Sequence, residues 1–398
     1  MSELSRTVLS GIRTRADLHR WASANAHGRQ MHEAVDQLER ALSSLAPDEA
    51  WDVTHRALDA AVKVIAHADD SSGIIGDACR RLLDLHPRAA RAAQVPPATL
   101  VPWMVRFQFD GVVDFFDLDP VAYAPALGAA GLARYRRELD RFRAGTGGSH
   151  TEWVLAWNDR RLAVLDRDVE AIVRTHARDQ RVAKWLQDTS EAMVEIGRID
   201  LALDWARRAV DHEPRHQALR AADHLRKLVA EHRPQEALAT AEFVFRRWPT
   251  ASTAADLVRA AGTAGDTYRE EILTTLGRDP QGTVDFCLTT LREPALAWRL
   301  AAGFDHLDEF TWSRLAAAHE AVDPLATLPV HRRLVTDSLV RADARAYRQA
   351  AVRLARMRDL AAGTPAAGDV EEFVAELRHE HRRRPRLQQE FDRVGLPR

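Results

Sequence analysis

Between Ala183 and Pro249 the chain carries two helical hairpins in tandem, each closed by a proline. The first reads WLQDTSEAMVEIGRIDLALDWARRAVDHEP and stops at Pro214; the second runs from about Ala218 through RRWP to Pro249, thirty-five residues later. A period of that size belongs to repeated helix pairs, because one hairpin cannot bury its apolar face alone and must stack on a neighbour. In the first hairpin Leu186, Thr189, Ser190 and Met193 share one helical face, with Ala192 beside them. Gly197 ends that helix, since glycine takes the left-handed conformation without a steric penalty. The second helix carries Ala202, Ala206 and Ala209, a column of small residues that lets two backbones approach closely, while Leu203 and Val210 fill the space beside it. Ala237, Ala241 and Val244 repeat the column in the second hairpin.

Small residues, a glycine between the helices and a closing proline together resemble the tetratricopeptide repeat, with His232 standing where the second copy would have its glycine. The resemblance implies antiparallel helix pairs whose first helices line a concave surface that holds peptides or partner proteins. On that reading Lys184, Gln187, Asp188 and Glu191 project from the first repeat. Arg220, Asp223, His224 and Lys227 do the same from the second. These eight residues are the expected contacts with a protein or peptide partner.

Composition limits the alternatives. At 398 residues the chain suits two domains or one long array. An apolar content of 46% is ample for a core and excludes global disorder. The net charge of −2 argues against wholesale binding of nucleic acid or acidic membranes. Lysine occurs only at Lys63, Lys184 and Lys227, so nearly all positive charge is arginine, as GC-rich coding produces. Cys79 and Cys287 are lone thiols, suited to a reducing cytosol and too few for a four-cysteine zinc site. The N-terminal MSELSRTVLSGIRTRADL carries charges throughout and does not read as a signal peptide. No stretch is apolar enough to span a bilayer. The expected location is the cytoplasm, with no membrane partner.

Along the chain every segment reads as helix. Trp21, Met31, Val35, Leu38, Leu42 and Leu45 form one apolar stripe, and Trp51, Leu58, Val62 and Ile65 the next, after a start at Pro47-Asp48. Asp70, Ser71 and Ser72 offer caps for a helix Ile74 to Leu85, and Pro87 is expected to start another. The aromatic stretch WMVRFQFDGVVDFFDLDP imitates a hairpin around Asp110-Gly111, but its helical surroundings favour a helix from Pro97 to Phe109 and then a helical turn. Asp-Pro pairs at 119–120, 279–280 and 323–324 read as a cap followed by proline at the first helical position. Leu155, Leu162, Leu165, Val169, Ile172, Val173 and His176 step along a single long helix. The expected organisation is an N-terminal helical segment (1–143), a linker (144–150) around AGTGGS, a repeat array (151–362), and C-terminal helices with an Arg-rich end (363–398).

Several stretches carry a second resemblance. HADDSSGIIGDACRRLLDLH, WMVRFQFDG, the repeat pair, LPVHRRLV and VAELRHEHRRRPRLQQEFDRVGL are similar to an uncharacterised bacterial helical-repeat family. They also resemble the helical region that follows the zinc finger in actinobacterial SWIM zinc-finger proteins. That finger takes its zinc from a CxC pair and a CxH pair, and this chain has neither.

The motifs that hint at chemistry have plainer readings. HEPRH at 212–216 matches a zinc-peptidase signature, which needs both histidines on one continuous helix, and Pro214 interrupts it. Asp69-Asp70 lacks the alternating oxygen ligands of a calcium loop. Asp114, Asp117 and Asp119 are the nearest approach to paired catalytic acids, and capping explains them. Trp153 and Trp157 with Arg160 and Arg161 could stack on a ligand or a base, or pack between helices. His379, His381, Arg382, Arg383, Arg384 and Arg386 form a basic end diluted by Glu376, Glu380, Glu390 and Asp392.

The expected protein is therefore an all-α solenoid of antiparallel helix pairs. It is expected to act as a non-enzymatic scaffold or adaptor with no cofactor. The alternatives are a nucleic-acid-associated regulator contacting phosphate through Arg382, Arg383, Arg384 and Arg386, and an enzyme whose site is assembled from distant residues.

Overall fold

Short local signals decide where the helices start. Asp119, Asp168, Asp279, Asp308 and Asp343 each cap a helix by accepting from backbone N–H groups one turn on. Proline occupies a first helical position at Pro47, Pro97, Pro120, Pro280, Pro294 and Pro385, where its missing N–H costs nothing. The computed structural model describes residues 2–111, 115–145, 147–212, 215–341 and 343–397, with 215–217 described by backbone only. Among these residues there are helices and turns and no strand, so the fold is all-α. The chain divides into two compact units, one ending at Leu225 and the other beginning at Arg226.

The first unit opens with α1 (Glu3–Ile12), α2 (Trp21–Ala41), α3 (Pro47–Ile65) and α4 (Ile74–Ala92). Met31, Val35, Leu38, Leu58, Ile75 and Leu82 meet in one core among these four helices. Next come α5 (Pro97–Phe109), α6 (Pro120–Ala144), kinked at Gly128, and α7 (Ser149–Leu165). Leu100, Met104, Tyr123, Tyr135 and Leu139 form their core. The repeat region supplies α8 (Val169–Ile172), α9 (Ala183–Glu195), α10 (Ile199–Val210) and α11 (Arg215–His232), the last of which runs on into the second unit.

The second unit continues with α12 (Ala237–Arg247), α13 (Ala251–Ala261), α14 (Arg269–Leu276), α15 (Pro280–Phe286) and α16 (Pro294–Ala301). It ends with α17 (Glu309–His319), α18 (Leu328–Val340), α19 (Ala344–Ala361), α20 (Ala367–Glu380) and α21 (Pro385–Arg393). In both units helices pack on the next helix or the next but one along the chain, the layered arrangement of an α-solenoid.

Inside the repeat, Gly197 takes φ 74° and closes α9, while Arg198 N–H bonds the Met193 carbonyl at 2.8 Å. Ala202, Ala206 and Ala209 are fully buried where α10 lies on α9. In the second copy a 3₁₀ turn, Pro234–Glu236, makes the bend that glycine makes in the first. Ala241 and Val244 are buried as expected, whereas Ala237 is half-exposed. Pro214, the first expected stop, lies outside the described residues; α12 ends at Arg247, just before Pro249.

Three boundaries differ from the sequence expectation. Helix α4 runs straight through Pro87. The expected long helix from Leu155 to His176 is broken after Leu165, because Arg167 adopts φ 56° and Asp168 starts α8 with a cap to Ala171 N–H. The break is anchored from outside: Arg167 Nη2 donates to the Ile196 carbonyl at the end of α9 at 2.6 Å. After α8 a π-helical turn, Val173–Ala177, carries the chain toward α9. Finally, α20 begins at Ala367, inside AAGTPAAG (361–368), whose glycines and proline read as a flexible loop in the sequence.

Candidate functional site

The expected contact face sits on α9 and α11, and one buried serine shows how those two helices meet. Ser190 is fully buried; its Oγ donates to the Ala202 carbonyl of α10 at 2.7 Å. With that proton committed, Ser190 accepts from His224 Nε2 of α11 at 2.9 Å. The first helices of the two repeats are thus neighbours, and His224 serves partly as the tie between them. Lys184, Arg220, Asp223 and Lys227 are exposed, and Gln187, Asp188, Glu191 and His224 are half-buried. Lys184 Nζ pairs with Asp188 at 2.5 Å and approaches Glu191 at 3.7 Å, while Gln187 Nε2 donates to Glu191 at 2.7 Å. Solvated pairs of this kind contribute about 0–1 kcal/mol each. A partner can therefore replace them at little cost.

The Trp-Arg stretch of α7 is partly packing. Trp157 Nε1 donates to the Leu118 carbonyl at 2.8 Å, and the Arg160 guanidinium lies over the Trp157 ring. Arg161 is held by Asp119 and Glu195 together, with contacts of 2.8 to 3.0 Å. Trp153 keeps an exposed ring. At the basic end, Arg384 is half-buried and donates to the Leu339 carbonyl at 2.9 Å, and Arg382 bonds the His379 carbonyl in its own turn. Arg383 and Arg386 are exposed. The cation that organises this end is Arg378, which bonds Gln388, Asp392 and the Leu396 carbonyl and stacks on Phe391.

Of the three carboxylates among the aromatics, Asp114 lies outside the described residues. Asp119 caps α6 and pairs with Arg161. Burial pushes the Asp117 carboxyl up to about 6, against the opposing pull of Arg160 and His150. His212 lies between α10 and α11 and His216 belongs to α11, so the HEPRH histidines do not share a helix. Among the described residues no group of three His, Cys, Asp or Glu side chains could hold a metal ion. Among the described residues no helix is long and apolar enough to cross a membrane.

A polar cluster in the first unit escaped the sequence reading. His86 on α4 is fully buried, with Tyr123 Oη at 2.8 Å from Nδ1 and His55 Nδ1 at 2.9 Å from Nε2. One proton arrangement satisfies both contacts of this cluster. Tyr123 donates to His86, His86 donates to His55, and His55 then carries its own proton on Nε2. Trp51 stacks on His55 and Trp103 on His86, with ring centroids 4.7 and 4.2 Å apart. His55, Trp103 and Phe107 line a cavity of about 360 Å³ with Arg56 and Arg106 beside it. Burial holds both imidazoles below their ordinary range, His86 well below it. The i, i+4 pair Trp51 and His55 was the one local signal available; its partners lie far along the chain.

The model of a family of unknown function (DUF6880) matches residues 5–279. No curated protein matches the chain. Among solved structures, a circular tandem repeat protein with novel repeat topology and enhanced subunit contact surfaces is similar at 13% identity. That likeness covers 98% of this chain and 94% of that one at a TM-score of 0.16, and so loose a superposition adds nothing to what the helices show.

Proposed function

We propose that this chain, which belongs to the DUF6880 family of unknown function, is a helical-repeat adaptor that binds a protein or peptide partner and has no reaction of its own. The observation that carries the reading is the Ser190–His224 contact, which sets α9 and α11 side by side. Lys184, Gln187, Asp188 and Glu191 then adjoin Arg220 and Asp223 on one surface, and Lys227 continues the α11 face by one turn. Both signs of charge alternate there, which selects a partner by its charge pattern and disfavours a uniform polyanion. The function is tested by affinity capture from the native host with and without nuclease, followed by mass spectrometry. The expected result is a set of proteins that survives nuclease; capture that vanishes on digestion would replace this reading with binding to nucleic acid.

A further inference from the structure

A half-buried arginine that pairs directly with no carboxylate among the described residues lies in a groove of the second unit. A cavity of about 970 Å³ opens between α17 and α19, with His331 of α18 at its floor. A chain of directional contacts builds that floor. Arg356 bonds Glu320 Oε2 through Nε and Nη2 at 2.9 and 2.7 Å, and Glu320 Oε1 accepts from His331 Nε2 at 2.9 Å. His331 Nδ1 is thereby left as an acceptor, and Arg353 Nη1 lies 3.3 Å from it. Arg353 Nη2 donates to Ser313 Oγ at 3.0 Å. The Arg353 guanidinium is half-buried, is held by neutral acceptors, and pairs with no carboxylate among the described residues. Burial pulls it below the usual arginine range, and Glu309 and Glu320 oppose that pull from a distance. A cation partly withdrawn from water and aimed by neutral groups gains most from an anion that brings its own charge to the fork.

The walls say which anion. Phe310 on α17 and Val352 on α19 line the same cavity and are 69% and 56% exposed, an unusual outlay of apolar surface beside so much charge. Arg345 and Arg348 add exposed positive charge with no ion pair among the described residues. We propose that the groove between α17 and α19 binds an acidic peptide segment bearing an aromatic or aliphatic side chain. A carboxylate sits on Arg353 and the apolar side chain against Phe310 and Val352. Nucleic acid fits less well, because a continuous run of phosphates would meet Asp308, Glu309 and Asp343 in the same cavity and leave the apolar walls uncovered. The proposal rests on the reading of the chain as a binding protein and uses residues other than those of the α9–α11 face.

Panning a random-peptide phage library on the full-length protein, then titrating the enriched peptides by fluorescence polarisation, tests it. The enriched sequences are expected to be net acidic with an aromatic or aliphatic residue. Their affinity should fall about tenfold or more on Arg353→Met, and partly recover with Arg353→Lys. Arg345→Glu with Arg348→Glu, both on the surface, should also weaken binding, which covers the case that Arg353→Met does not fold. Reversing the charges of Lys184, Asp188 and Glu191 should leave these peptides bound, so failure here is distinguishable from failure of the adaptor reading. Absence of enrichment, no acidic bias, or equal affinity for the Arg353→Met protein would overturn the proposal. So would a labelled single-stranded DNA that binds the wild type and is lost with Arg353→Met.

Discussion

Asn158→Ala is expected to destabilise the first unit by about 3 kcal/mol, the largest effect of any polar substitution considered. Asn158, Gln108 and Tyr135 close a ring of hydrogen bonds among α5, α6 and α7, all within the core. Tyr135 Oη donates to Asn158 Oδ1 at 2.6 Å, Asn158 Nδ2 donates to Gln108 Oε1 at 3.0 Å, and Gln108 Nε2 donates to Tyr135 Oη at 2.7 Å. Asn158 and Gln108 also each bond the carbonyl one turn back, at Val154 and Met104. Truncating Asn158 leaves a buried hydroxyl without its acceptor, a buried amide oxygen without its donor, and a void. Tyr135→Phe should cost less, about 1–2 kcal/mol, because the phenyl ring still fills its space and Gln108 keeps the Met104 carbonyl. Denaturant unfolding of the full-length protein followed by circular dichroism measures both. An Asn158→Ala protein within about 1 kcal/mol of wild type would show that the ring is not a major tie.

Acid is expected to weaken the same unit through His86. Unfolded, an imidazole titrates near 6.5; folded, burial keeps His86 well below that. The unfolded chain therefore takes up the proton first as pH falls. Stability is intact above about pH 6.5 and is lost below it at about 1.4 kcal/mol per pH unit until the folded group titrates. His55 has the same sign, as does His176, which burial lowers to about 4. Going from pH 7 to pH 5 should therefore lower the stability of the first unit through His86. The double variant His86→Phe, Tyr123→Phe keeps the shape of the cluster and leaves no orphaned hydroxyl. Its unfolding midpoint should change less between those two pH values than that of the wild type. Equal changes would show that His86 is not the source of the acid sensitivity.

What the sequence revealed and what it hid follow from the range of the interactions. Helix starts are written within four residues, so the Asp119, Asp279 and Pro97 starts and the Gly197 stop were all readable. The break at Arg167 was hidden because Leu165, Val169 and Ile172 keep helical spacing across it, and its anchor, the Ile196 carbonyl, lies 29 residues away. The run of α4 through Pro87 was hidden for a like reason. A local breaker lost to burial of that turn, where His86 and Pro87 are both enclosed. Beyond the Trp51 and His55 pair, the polar clusters left no local signal. His55 and His86 are 31 residues apart, and Gln108 and Asn158 are 50 apart, and no local pattern links them. The eight expected contact residues fell on α9 and α11 as read, but the sequence did not show that Lys184, Gln187, Asp188 and Glu191 would pair among themselves or that His224 would be bound to Ser190.

The central claim is that the α9–α11 surface holds a protein partner. Its most direct test is a paired capture from the native host, after nuclease, using wild type and a variant with Lys184, Asp188, Glu191, Arg220, Asp223 and Lys227 reversed in charge. His224 is left in place to keep its tie to Ser190, and circular dichroism confirms that the helices are retained. The proteins captured by the wild type should be lost from the variant; the same proteins bound to both would place the partner elsewhere on the chain.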